Sequence, residues 1–167
     1  MGAEVRLNSC SYLRIFFEVL EVLVYGLLTG VVATAVMSLP QLFFWRRWST
    51  IGILEWHENQ MIMSRATGRS PEDVLALSFV LHFANGGVAA AAYALIVAML
   101  PQLYLLDPLT LGTAFGLILW ALTLAPIHKP ITGISLTRHP LGWRPVALSI
   151  ILHIVYGVVV AFLVSLL

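Results

Sequence analysis

The sequence predicts an all-helical integral membrane protein. Four spans form a bundle made of two tandem helix pairs, with an interfacial amphipathic helix between the first two spans. Three observations predict this. The 167 residues are 60% hydrophobic and 10% charged, against about 25% charged in soluble domains. Four stretches run without Asp, Glu, Lys or Arg for long enough to cross a bilayer: 22–45, 74–106, 108–127 and 146–167. And the second and fourth of these echo one another 71 positions apart. LSFVLHFANGGVAA (77–90) and LSIILHIVYGVVVA (148–161) agree at seven of fourteen positions, including Ser78/Ser149, His82/His153 and Gly86/Gly157.

Each span reaches the roughly 20 apolar residues that a 30 Å hydrocarbon core requires. Only helices satisfy every backbone group inside lipid without a closed barrel. The mean hydropathy of +0.94 and the length of the chain predict one membrane domain over 1–167. A net charge of +1 leaves no basic surface for nucleic acid, and the single cysteine, Cys10, excludes an intrachain disulfide.

Residues 1–21 are mixed in character. Arg14 and Glu18 fall four apart and share a helix face. Glu18 and Glu21 interrupt the apolar run, and no small-x-small site follows, so the N-terminus does not read as a cleavable signal. The first span carries Gly26 and Gly30, and the third carries Gly112 and Gly116. Small residues at this spacing let helices approach closely. Aligning 26–40 with 112–126 matches both glycines, an alanine and the terminal proline, four of fifteen positions. The connections echo too, with Gly68-Arg-Ser-Pro71 and Gly142-Trp-Arg-Pro145 each opening a span. Pro suits the first turn of a helix, and Ser70 is placed to cap it. The chain therefore divides into repeat one, 1–100, and repeat two, 101–167. Two spans per repeat give both repeats the same direction, hence a pseudo-two-fold axis along the membrane normal.

The connection after the first span holds Arg46, Arg47, Arg65 and Arg69, and the third holds Lys129, Arg138 and Arg144. The middle connection has no Lys or Arg, and the N-terminal tail has Arg6 and Arg14. The positive-inside rule then places the first and third connections in the cytoplasm and both termini outside, in a cytoplasmic-type membrane. Within the first connection, 51–65 has the pattern of an amphipathic interfacial helix. Ile53, Trp56, Ile62 and Met63 are expected toward membrane or partner, with Glu55, Glu58 and Asn59 facing away.

A histidine thus enters the membrane twice. His82 and His153 lie 11 and 8 residues past their prolines, about 12–16 Å deep at helical rise. Ionisable residues at that depth face the bundle interior. Three readings stand. The pair ligates a haem b iron from two helices, with Gly86 and Gly157 one turn away leaving room for the ring. It borders a quinone-type or other ligand pocket, or titrates in the pathway of a small transporter or channel. Or the histidines are buried structural groups. His57, His128 and His139, with Glu55 and Glu58, are metal-donor types, but their spacing matches no metal motif and a solvated face is expected. No phosphate loop, nucleophile elbow or catalytic triad assembles, so no autonomous catalytic motif is present.

Gly26, Gly30, Met37-Ser-Leu-Pro40 and His153-Ile-Val-Tyr-Gly157 resemble small bacterial and archaeal inner-membrane proteins of the YagU-like kind. The resemblance covers the spans and implies the architecture, with no activity to carry over. The polar parts are too small for a separate catalytic domain. The expectation is a small membrane subunit of a respiratory or electron-transfer assembly, contacting lipid and other membrane subunits or further copies of itself; the alternatives are a small transporter or channel with the same histidines in its pathway, or a purely structural or assembly subunit.

Overall fold

In the computed structural model, which describes residues 9–166, the apolar runs fold as helices with no strand among the described residues. α1 is Ser9–Trp48, α2 Leu54–Thr67 and α3 Leu75–Met99. α4, Pro108–Leu119, passes through a π turn at Trp120–Leu124 into α5, Ala125–Thr132; α6 is Arg144–Val164. Four helical stretches are long and apolar enough to cross a membrane: Tyr12–Trp48, Glu72–Met99, Pro108–Thr132 and Arg144–Val164. The Arg14–Glu18 pair on the exposed start of α1 closes at 2.9 Å.

Glycine sets how the spans meet. A Cβ on Gly26 would lie 2.6 Å from Ala91 Cα, and one on Gly30 would lie 2.7 Å from Gly87 Cα. Likewise, a Cβ on Gly112 would lie 2.7 Å from Val158 N, and one on Gly116 would lie 2.7 Å from the His153 carbonyl carbon. Both helix pairs, α1 with α3 and α4 with α6, are therefore backbone-close and antiparallel, as the small-residue spacing predicts. Their registers differ by one turn. Gly30 opposes Gly86 and Gly87, whereas it is Gly112, the alignment partner of Gly26, that opposes Gly157.

α1 also packs on α6, with Tyr25 Oη donating to Leu163 O at 2.8 Å. The spans thus run α3–α1–α6–α4 around the bundle. The remaining edge, α3 against α4, is closed at one level by Tyr93 on Phe115, whose rings lie 4.7 Å apart. The core runs through Ala33, Met37, Ala90, Tyr93, Leu152, Tyr156 and Val160. Outward, α1 shows Leu28, Leu39 and Phe43, as a span does where its surroundings are lipid.

The two basic connections lie at the same end of the bundle. Arg65 Nη2 donates to Ile131 O at 2.6 Å, and His139 Nε2 lies 3.0 Å from Ile51 O. We refer to this as the basic end. The chain reverses there at Ser49, whose φ of 49° is unusual for a residue with a side chain. α2 ends at Gly68 in the left-handed region, which glycine adopts without strain. Ser70 does not cap α3. Its hydroxyl donates to Asp73 Oδ2 at 2.9 Å, and a 3₁₀ turn, Glu72–Val74, precedes the helix.

α2 departs from the expected surface helix. Ile53 and Trp56 are buried as expected, with Trp56 edge-on to Phe79 at 4.6 Å. But Glu55, Glu58 and Asn59 are buried too, at 7%, 6% and 5% exposure. They point into the bundle, because polar side chains of α1, α3, α5 and α6 meet them there. Amphipathic periodicity separates two faces but does not say which one is wet.

Candidate functional site

Three features of the spans build the site at the basic end. Pro40 inside α1 removes a backbone donor, and the next residue, Gln41, is fully buried. Pro126 follows the π turn in α5. Its ring and missing N–H conflict with a regular α-helical turn before it, and a π turn relieves that conflict. The wider turn places Thr123, Leu124 and Ile127 on a cavity and carries His128 under α2. α2 then supplies carboxylates.

Glu55 joins four helices. Its Oε2 accepts from Gln41 Nε2 of α1 at 3.0 Å. Its Oε1 accepts from Ser149 Oγ of α6, and that hydroxyl accepts from Trp120 Nε1 of the π turn at 3.1 Å. His153 Nδ1 is 2.9 Å from Ser149 O and 3.4 Å from Glu55 Oε1. Because a carbonyl only accepts, Nδ1 is the donor in the contact with Ser149 O. His82 Nε2 lies 3.3 Å from Ser38 Oγ of α1. Asn85 Nδ2 donates to Asn59 Oδ1 at 3.2 Å, and Tyr156 Oη donates to Gly86 O at 2.5 Å.

Beside this network lies a cavity of about 510 Å³, within the range of small-molecule sites. His82 and His153 both line it, with Glu55, Glu58 and Asn59 of α2 and Asn85 of α3. Val88, Ala89 and Ala92 of α3 face Leu119, Thr123 and Ile127 across its mouth. Val88 is 64% exposed and Ile127 40%, so the mouth opens sideways along the unclosed α3–α4 edge. Tyr156 lines the cavity, and its ring lies 6.2 Å from that of Phe115, which in turn lies 4.7 Å from Tyr93.

His82 and His153 thus line one cavity, and two expectations change. Gly86 and Gly157 are contact points between helices. A Cβ on Gly86 would overlap Thr34 Oγ1, and one on Gly157 would lie 3.0 Å from Gly116 Cα. The Tyr156–Gly86 hydrogen bond then crosses between α6 and α3 at the level where the glycines were expected to make room for a macrocycle. With Nε2 of His82 engaged by Ser38, the geometry fits a bis-imidazole iron poorly. Among the described residues, no three His, Cys, Asp or Glu side chains converge as a metal-binding group.

The basic-end residues also differ from the solvated face expected of them. His128 is fully buried with Nδ1 3.0 Å from Glu58 Oε1, and His139 is 6% exposed. Burial, and then the charge of Glu55, pushes the Glu58 carboxyl up to about 8. Burial, with the positive charges of His128 and His139 nearby, lowers His57 to about 4. Burial also lowers His139. Sequence reasoning missed Glu55, Glu58, Asn59 and Gln41. A signal was available: Gln41, Asn85 and Ser149 are polar residues in otherwise apolar spans, and each needs a partner.

No protein-family model matches the chain, and neither a curated protein nor a solved structure is significantly similar to it.

Proposed function

We propose that the protein is a small membrane subunit of an electron-transfer assembly whose cavity takes a quinone-type ligand from the bilayer. The observation that carries this is the joining of His82 and His153, through one cavity, to an apolar mouth on the lipid-facing α3–α4 edge. A quinone head group is planar, offers carbonyl acceptors and trails an apolar tail. The cavity meets these needs in order. Polar groups stand at its inner end: the two histidines, Asn85 and the Glu58 carboxyl. Aliphatic walls follow, and then a lateral opening through which a tail can reach lipid. The packed rings of Tyr93, Phe115 and Tyr156 support binding over transport, since they fill the bundle between α3, α4 and α6 where a carrier would need a path.

The same reading places the basic end in the cytoplasm and both termini outside, on the positive-inside rule. It takes α1–α3 and α4–α6 as tandem units, supported by the glycine crossings that both contain.

The experiment is a titration of a short-chain quinone into the protein in nanodiscs, read by tryptophan fluorescence. Saturable quenching is expected, with affinity lowered about tenfold, or 1.4 kcal/mol, by His153→Ala. Linear, non-saturating quenching identical in the variant would refute the reading.

A further inference from the structure

We propose that Glu58, His128 and His57 form a proton route joining the cavity to the basic end of the bundle. The route shares the cavity with the ligand site and does not depend on what the ligand is.

The geometry has three parts. Glu58 lines the cavity, is 6% exposed, and forms no ion pair with Arg or Lys among the described residues. Its partner, His128, is fully buried and off the cavity wall. His128 uses only Nδ1; its buried Nε2 has no hydrogen-bond partner. The His57 ring, on the residue preceding Glu58 in α2, lies 6.1 Å from the His128 ring, and its buried Nδ1 has no partner either. A buried polar atom without a partner costs about 1–3 kcal/mol. A water shared by the two nitrogens would give both a partner. A purely structural Glu–His pair needs neither orphan.

The surrounding groups keep the route separate. His139 uses both nitrogens, Nε2 toward Ile51 O and Nδ1 accepting from Leu141 N at 3.2 Å. Glu55, on the same helix, is committed to Gln41 and Ser149. His82 of α3 and His153 of α6 stand on the cavity side, and Arg65 holds backbone carbonyls of α5. Lys129, beside His128, is exposed.

With Glu58 held up to about 8 and His57 down to about 4, the resting route at neutral pH is a carboxylic acid and neutral rings. Glu58 Oε1–H donates to His128 Nδ1, and Nε2 of that ring carries the hydrogen. A proton arriving from the cavity on Glu58 Oε2 displaces the Oε1 proton onto His128 Nδ1. The Nε2 proton then leaves through the water to His57 Nδ1, and from there to the basic end. Glu58 is again neutral, and His128 is left in its other tautomer, which resets before the next passage. The reverse sequence carries a proton inward.

The experiment uses the whole protein in nanodiscs without added quinone. Infrared absorption follows the protonated carboxyl band after a rapid pH jump from neutral to alkaline, and Glu58→Gln identifies the band by removing it. His128→Asn keeps the size and polarity of the site and interrupts the route. It is expected to slow loss of the band by about 100-fold, the scale of a lost proton-transfer group, while quinone binding is retained. His57→Leu, which leaves the Glu58–His128 pair in place, is expected to slow it as well and carries the test if the His128 variant does not fold. Absence of a Glu58 band at neutral pH, or wild-type rates in the folded variants, would overturn the proposal. Failure of quinone binding with slowed proton exchange would overturn the proposed function and leave the route standing.

Discussion

Glu58→Gln gives the folded state a carboxamide in place of a buried acid, and its consequence for stability against pH can be worked out. Glu58 titrates near 4.5 when unfolded and near 8 in the fold. The folded state therefore holds a proton that the unfolded state has lost, and stability falls as pH rises through that window. His57 acts in the opposite sense. Its pKa drops from 6.5 to about 4 on folding, so stability is lost as pH falls below 6.5, and the lowered His139 adds to that loss. Between 4.5 and 6.5 the two trends offset. Above 6.5, only the Glu58 trend remains of these three. One pKa unit corresponds to about 1.4 kcal/mol, so wild-type stability is expected to fall by about 2 kcal/mol from pH 6.5 to 8. That value is an upper bound, because water reaching Glu58 through the cavity softens its burial. Glu58→Gln is expected to be flat over the same range. The assay is equilibrium unfolding in nonionic micelles at a series of pH values. A variant that follows the wild-type slope would refute the assignment of a buried, protonated acid at this position.

Other perturbations bear on the frame around the site. Gly116→Val places a side chain against the His153 backbone; it is expected to cost about 1–3 kcal/mol in the same unfolding assay, and a neutral effect would contradict the α4–α6 contact. Glu55→Ala strands Gln41 Nε2 and Ser149 Oγ and is expected to cost about 1–3 kcal/mol, whereas Glu55→Gln should recover part of that; equal losses would show that the four-helix junction is not held by hydrogen bonding. Tyr156→Phe removes only the hydroxyl on Gly86 O, worth about 0.6 kcal/mol between membrane helices, and should leave the fold intact. A reporter fused after Leu167 is expected to be active only outside the cell, and cytosolic activity would invert the orientation.

The spans were legible in the sequence because burial in lipid depends on local composition, and composition is what hydropathy reads. The pairing of His82 with His153 was legible through the 71-residue echo, and the glycine faces through their spacing. The one-turn register difference between the pairs was not, because Gly26/Gly30 and Gly112/Gly116 offer equivalent contacts one turn apart and side chains elsewhere choose between them. The inward turn of α2 was hidden for a related reason. Glu55 and Glu58 read as solvated when α2 is taken alone, and their partners Gln41, Ser149 and His128 lie 14, 94 and 70 positions away. His128 itself reaches α2 just after a π turn that precedes Pro126. A proline signals a break in the helix without saying how the break is relieved.

The most direct measurement on the central claim is photolabelling with an azido-quinone in native-like membranes, followed by peptide mapping. Labelling is expected on the cavity walls, at Val88–Ala92 of α3 and Leu119–Ile127 of α4 and α5, with competition by unlabelled quinone and loss in His153→Ala. Label spread over the outward face of α1, around Leu28, Leu39 and Phe43, and unaffected by competitor or by the variant, would contradict a quinone-type site between α3 and α4.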